Sequence, residues 1–237
     1  MVFNMMRFVT LFGKRKGGGG GAVFEWHQDD MKVSFGQLAT NTASVDKPDN
    51  LQPGDLILFL LNGQRNTITP PAGLTAIGHY GHTSLSQLPF TSAFYKVAGA
   101  DEPESYSFTF GTANWQPYRI VCGRVSGANA SNPIDKAVGA TTGTTYLNSI
   151  SLPSINVEAD ESLLFAIFTR NNPNAPRGEN PAGMTELYQV HDSGNYDIVI
   201  ICSQELVGPG STGTRTCTIS PGATDRWAAQ MFNVKKG

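Results

Sequence analysis

Four histidines, three cysteines and a few acidic pairs are the side chains of this 237-residue sequence that could carry chemistry. His79-Tyr80-Gly81-His82 places two imidazoles close enough to share a metal, but a metal site needs further ligands and none stands at short spacing. His27 is isolated. His191, Asp192 and Ser193 are the residue types of a hydrolytic triad. A triad needs nucleophile, base and orienting acid converging in space, and three neighbours on one turn do not converge. No glycine loop opens a helix, so nothing cradles a phosphate. Asp101-Glu102 with Glu104, and Asp160-Glu161, could hold Ca²⁺ at a sheet edge, but read as solvated turns. Cys122, Cys202 and Cys217 each sit in an apolar run; an odd, widely spaced set reads as buried thiols rather than disulfides or a zinc site. This fits synthesis in a cytoplasm. The sequence therefore predicts no enzyme, no bound metal and no cofactor.

A second kind of chemistry is contact. Trp115 and Tyr118, with Tyr80 and His82 in the Tyr80–Leu88 segment, are candidates for a platform that stacks on sugar faces, since an aromatic ring with a polar tip suits a wet binding face. A net charge of −2 gives no general attraction to nucleic acid or to an anionic membrane.

The elements that must position these residues are strands, and they occur twice. The apolar run Leu56–Leu61 has a partner in Leu163–Phe168, offset by 107 (163 − 56). Pro70-Pro71-Ala72-Gly73-Leu74-Thr75 returns as Asn180-Pro181-Ala182-Gly183-Met184-Thr185, offset by 110 (183 − 73). Val97-Ala98-Gly99 matches Leu206-Val207-Gly208, and Tyr118–Val125 matches Trp227–Val234. The pseudo-repeats cover about residues 53–128 and 159–235, within a body taken as 34–237. The apolar runs are continuous rather than alternating, which suits strands covered on both faces. Ser107-Phe108-Thr109-Phe110 alternates, so one face is buried and one is wet. Only 15% of residues are charged, Gly 26 and Pro 14 supply many turns, and no stretch holds a helical period. The fold expected is all-β: a single jelly-roll-like β-sandwich built from two repeated halves, each supplying strands to both sheets. Gly73 and Gly183 are expected at positive φ in equivalent turns.

Residues 1–33 read as an extended N-terminal arm. Phe3, Phe8, Leu11 and Phe12 are apolar anchors, Lys14, Arg15 and Lys16 a basic end, and Gly17–Gly21 a flexible joint. The order apolar-then-basic is the reverse of a secretory signal, and the apolar part is too short and too interrupted to span a bilayer. It reads as a peptide that docks on another subunit.

Gly54-Asp55-Leu56-Ile57-Leu58, Pro70-Pro71-Ala72-Gly73-Leu74-Thr75, Phe94-Tyr95-Lys96-Val97-Ala98-Gly99, Asn132-Pro133-Ile134-Asp135, Pro181-Ala182-Gly183-Met184-Thr185 and Gly213-Thr214-Arg215-Thr216 together resemble a β-sandwich module of tailed-bacteriophage virion proteins, seen also in some bacterial surface proteins. Leu74 and Met184 stand where that pattern usually has an aromatic. The likeness spans about residues 34–235 and implies a virion component without catalytic residues. The expectation is a tail fibre or tail-associated protein, assembled in the host cytoplasm, a homo-oligomer (trimer preferred) joined to other virion proteins by the arm, and contacting a cell-surface glycan. A capsid decoration protein and a carbohydrate-binding surface module are the alternatives.

Overall fold

The computed structural model describes residues 23–64, 67–81, 88–111, 117–170, 178–191, 198–219 and 223–237. Its strands form two large and two small antiparallel sheets plus a short two-stranded ribbon. The first large sheet runs in the order Thr75–Gly81, Pro89–Val97, Leu56–Gln64, Pro117–Ser126, with Lys32–Gln37 and Glu25–Trp26 both paired to the last of these. The second runs Thr185–His191, Ile198–Val207, Glu161–Arg170, Trp227–Lys235, Ile134–Thr141. The small sheets are Thr42–Asp46, Ser105–Phe110, Ile68–Thr69 and Ser149–Leu152, Arg215–Ile219, Gly178–Glu179. In each half the chain passes back and forth between a large and a small sheet, with its first and last strands side by side. That is the jelly-roll order, written twice.

The all-β sandwich expected from the sequence is present, with one difference in how the halves share it. Each sheet draws its strands from one half only, and the two large sheets face each other, giving four layers. The reason lies in the central strands. Every residue of Leu56–Gln64 is buried. Ile57, Phe59 and Leu61 point to the small sheet of their own half, among Phe94, Phe108 and Phe110. Leu56, Leu58 and Leu60 point the other way, onto Leu163, Phe165 and Ile167. Period-2 strands with both faces apolar require a layer on each side, and only the other half can supply the second. Leu56, Leu58, Leu163, Phe165, Phe108 and Ile219 are all buried, but in three cores rather than one.

Asn62 and Thr169, equivalent positions at the offset of 107 (169 − 62), meet across the interface through a hydrogen bond from the Thr169 hydroxyl to Asn62 Oδ1. The two Pro-Ala-Gly turns match, with φ of +86° at Gly73 and +78° at Gly183, a left-handed conformation that glycine adopts without strain. Ser105–Phe110 alternates exposed and buried as its sequence predicts.

The globular body begins earlier than residue 34. Glu25–Trp26 pairs with Ser126 and Val125, and Trp26 lies over Gly123, where a Cβ would fall 1.9 Å from the indole. The same indole meets Phe165 of the other half edge-on at 5.4 Å, and Gln28 donates to the Leu187 carbonyl at 2.7 Å. Residues 24–28 are thus a strap across both halves. Behind it Arg124, 8% exposed, is held by Asp30 and Asp55 at 2.7 and 2.8 Å. Burial opposes ionisation of Asp30; its hydrogen bonds from Asn50 and Arg124 and the Arg124 charge outweigh that and hold its carboxyl below the usual range.

Candidate functional site

Many residues singled out for chemistry are already partnered. His79 accepts or donates through Nδ1 to the Ser92 hydroxyl and stacks on Phe90. Glu102 binds Lys96 at 2.8 Å, Tyr106 at 2.6 Å and the Gly99 N–H at 2.7 Å. Glu104 pairs with Lys47, and Glu161 with Lys236. Lys47, Glu102 and Glu104 line a groove of about 600 Å³ with Lys32, Asp46 and Asp49, and each carboxylate with a cation partner has less charge to offer a cation. Among the described residues no group of three His, Cys, Asp or Glu side chains could hold a metal ion. The three cysteines are free and buried. Burial is the largest cause pushing the Cys217 thiol up to about 12, and burial raises Cys122 and Cys202 as well.

Of the contact candidates, His82, Trp115 and the arm residues Phe3, Phe8, Leu11, Phe12, Lys14, Arg15 and Lys16 lie outside the described residues. Tyr80 and Tyr118 are described, and both are used in packing. The Tyr80 ring lies on Gly139 of the other half, where a Cβ would fall 2.1 Å from Tyr80 Cγ. Tyr118 tilts against Phe110 at 5.8 Å, with its ring over Gly36. Neither stands free as a sugar platform.

The register brings together a different set. Phe35 pairs with Arg119, Arg119 with Asn62, Asn62 with Thr91, and Thr91 with Tyr80. Directly opposed residues share a face, so these five form one row across the first large sheet, turned toward the second half. They sit one step beyond the apolar levels of Leu56, Leu58 and Leu60 on the same face. Thr169 meets Asn62, and Gln230 donates to the Thr91 hydroxyl at 2.9 Å. The interface between the halves is therefore apolar over most of its depth and closes in a polar belt.

Arg119 is the residue in this belt without a match. It is 2% exposed, and its guanidinium lies 5.4 Å from the Phe35 ring and 6.0 Å from the Tyr188 ring. No described residue gives it a carboxylate or a hydrogen bond: Nε and Nη1 are buried and unpartnered, as are Asn62 Nδ2 and Gln230 Oε1 beside them. A ring within about 6 Å of a cation is worth about 0.5–2 kcal/mol. An unpaired buried charge costs several kcal/mol, so two rings leave the guanidinium undercompensated. They act by charge on the ring face and leave in-plane N–H groups without acceptors. Phe35 itself is 56% exposed. The arrangement is suited to accept a planar anion at the rim between the sandwiches, with an aromatic face beside it.

This site escaped the sequence reading because Phe35, Arg119 and Tyr188 come from three strands in two halves. One signal was present: Arg119 and Asn62 are polar positions at the ends of apolar strand runs, Tyr118–Val125 and Leu56–Leu61.

The belt lies toward one end of the molecule. Strand ends Gln64, Pro89, Pro117, Arg170 and Ile198 are brought together there by pairing, Gln64 with Pro89 and Arg170 with Ile198 and Trp227. At the opposite end lie Trp26 on Val125, Ala128 on Lys236 and the Gly237 N–H on the Gly127 carbonyl. The chain thus enters the body at one end, while the belt and the ends of the central strands face the other. No protein-family model, no curated protein and no solved structure matches this chain.

Proposed function

We propose that the protein is a structural component of a bacteriophage particle: a tail fibre or tail-associated subunit, anchored through its N-terminal segment, that presents the double sandwich as a host-contacting head. The observation that carries this reading is the polarity of the body. The chain enters beside Trp26 and Val125, and the opposite end holds the rim with Phe35 and Arg119. A module tethered at one end and recognising a surface with the other needs that layout. Three cores and a strap that ties the halves suit a load-bearing head. The sequence likeness to virion sandwiches points the same way. In this reading Phe3, Phe8, Leu11 and Phe12 anchor the arm in a neighbouring virion protein, Lys14, Arg15 and Lys16 meet its acidic rim, and the subunit is a trimer located in the virion.

The test is localisation. Antibody raised against the full chain should label the tails of particles produced by cells expressing it, and deletion of residues 1–16 should leave a folded β protein that is lost from those particles. Labelling confined to particle-free material would sink the reading. A carbohydrate-binding surface module is the second reading, favoured by the exposed rings of Phe35 and Tyr146, each backed by an arginine, Arg119 or Arg226. Sugar binding without any particle association would select it.

A further inference from the structure

We infer that Arg119, Phe35 and Tyr188 form a binding site for the carboxylate of an acidic sugar, such as a hexuronate, at the rim between the two sandwiches.

Three observations converge on this ligand. The Arg119 guanidinium is 2% exposed and faced by the rings of Phe35 and Tyr188, while Nε and Nη1 have no partner. A guanidinium with unpartnered in-plane N–H groups matches a carboxylate, which takes parallel hydrogen bonds in one plane. Asn62 Nδ2, on the neighbouring strand in register with Arg119, is a further buried donor without an acceptor. Donors outnumber acceptors among these orphaned groups, so the missing partner is acceptor-rich. Phe35, 56% exposed, lies next to Arg119 and offers an apolar face of the kind on which the C–H face of a sugar ring rests. An acidic sugar carries both features on one small ring.

Among the described residues the second half has no such site. The register equivalents of Phe35, Arg119 and Asn62 are Thr141, Ala228 and Thr169. The inference therefore specifies one site per chain. Its role as a contact for a cell-surface glycan rests on the function proposed above; the carboxylate site itself does not.

The experiment titrates the full chain with sodium glucuronate, following amide and arginine side-chain NMR shifts at low salt, with glucose and sodium acetate as parallel titrations. Saturable binding of glucuronate, at least tenfold tighter than glucose and tighter than acetate, is expected. Arg119→Met should abolish it, Arg119→Lys should weaken it about tenfold by losing the fork geometry, and Phe35→Ala should weaken it several-fold while the protein stays folded, its melting temperature lowered by only a few degrees through the lost ring contact with Arg119. Because Phe35 is exposed, that variant tests the site even if Arg119→Met fails to fold. Equal affinity for glucose, acetate affinity matching glucuronate, no saturable glucuronate binding, or a Phe35→Ala titration identical to the parent's would each overturn the assignment. Particle labelling reports separately on the virion reading: glucuronate binding without labelling keeps this site and removes that function, and labelling without glucuronate binding does the reverse.

Discussion

Replacing Phe165 with alanine should expose how far the two sandwiches depend on each other. Phe165 is fully buried in the central core, stacked on Phe232 at 5.5 Å and met edge-on by Trp26 at 5.4 Å. It belongs to the second half, Trp26 packs from the strap, and the surrounding core includes Leu56 and Leu58 of the first half. A buried Phe→Ala change costs about 3–5 kcal/mol, out of a total stability of about 5–15 kcal/mol for a natural domain. In a chain of this size each kcal/mol moves the melting temperature by about 2–4 °C, so the shift should be roughly 6–20 °C. Calorimetry with far-UV circular dichroism should show one transition in the parent and one, lowered, in the variant. Phe108→Ala is the matched control, since Phe108 is equally buried but lies inside the first half alone. If the central core couples the halves, both variants lower the same single transition. A Phe165→Ala protein that melts with the parent, or a parent that melts in two steps of which Phe108→Ala moves only one, would refute the coupling.

Arg124→Met should cost about 3–5 kcal/mol, because it leaves Asp30 and Asp55 buried without their cation; urea denaturation at pH 7 reads this directly. Asp30 and Glu102 both have carboxyls held below the usual range, burial being overcome at Asp30 by Asn50 and Arg124 and at Glu102 by the Gly99 N–H, Lys96 and Tyr106. Their contribution is complete above their ordinary values of 3.8 and 4.5 and is lost as pH falls through the lowered ones, so the urea midpoint should hold from pH 7 to 5 and drop below pH 4; a midpoint that rises on acidification contradicts the sign. Gly73→Ala and Gly183→Ala, at φ +86° and +78°, should each cost about 1–2 kcal/mol and add in the double variant, measured by thermal denaturation. Thiol reagent at pH 8 should leave all three cysteines unmodified in the native protein and label them on unfolding, since each is buried with its thiol pushed up, Cys217 to about 12.

What was legible in the sequence is what local chemistry dictates. Gly73 and Gly183 each follow a Pro-Ala pair because the same left-handed turn is made twice, and that turn exposed the duplication. The unbroken run Leu56–Leu61 announced a strand covered on both faces, and Ser105–Phe110 a strand covered on one. Which layer covers each face could not be read, because alternate residues of one run serve two cores. Ile57 and Leu58 are neighbours in the chain and belong to different cores. Tyr80 illustrates the same limit. Its type suggested a wet platform, and its ring is instead set against Gly139 of the other half, a pairing that exists only once both large sheets are in place. Residues 24–31 fall within the 1–33 arm read from the sequence, yet Trp26 and Asp30 are anchored by Gly123, Phe165 and Arg124, which lie far along the chain.

The duplication also indicates where to look for function. Two halves that share strand order, turn geometry and offset have kept their packing positions alike: Leu58 and Phe165 both face the central core, and Phe110 and Ile219 each fill the core of their own half. At the belt the halves part. The row Phe35, Arg119, Asn62, Thr91, Tyr80 is answered by Thr141, Ala228, Thr169, Val199, Val190. Only the first row carries a charge, two aromatic rings and orphaned polar atoms. Packing alone gives no reason for this, since the second row closes the same kind of sheet with small and apolar side chains. A buried arginine between two rings is worse for stability than the alanine at the equivalent position. The half that carries it bears a cost that its twin avoids, and recognition of an anion at that rim is the function that cost would serve.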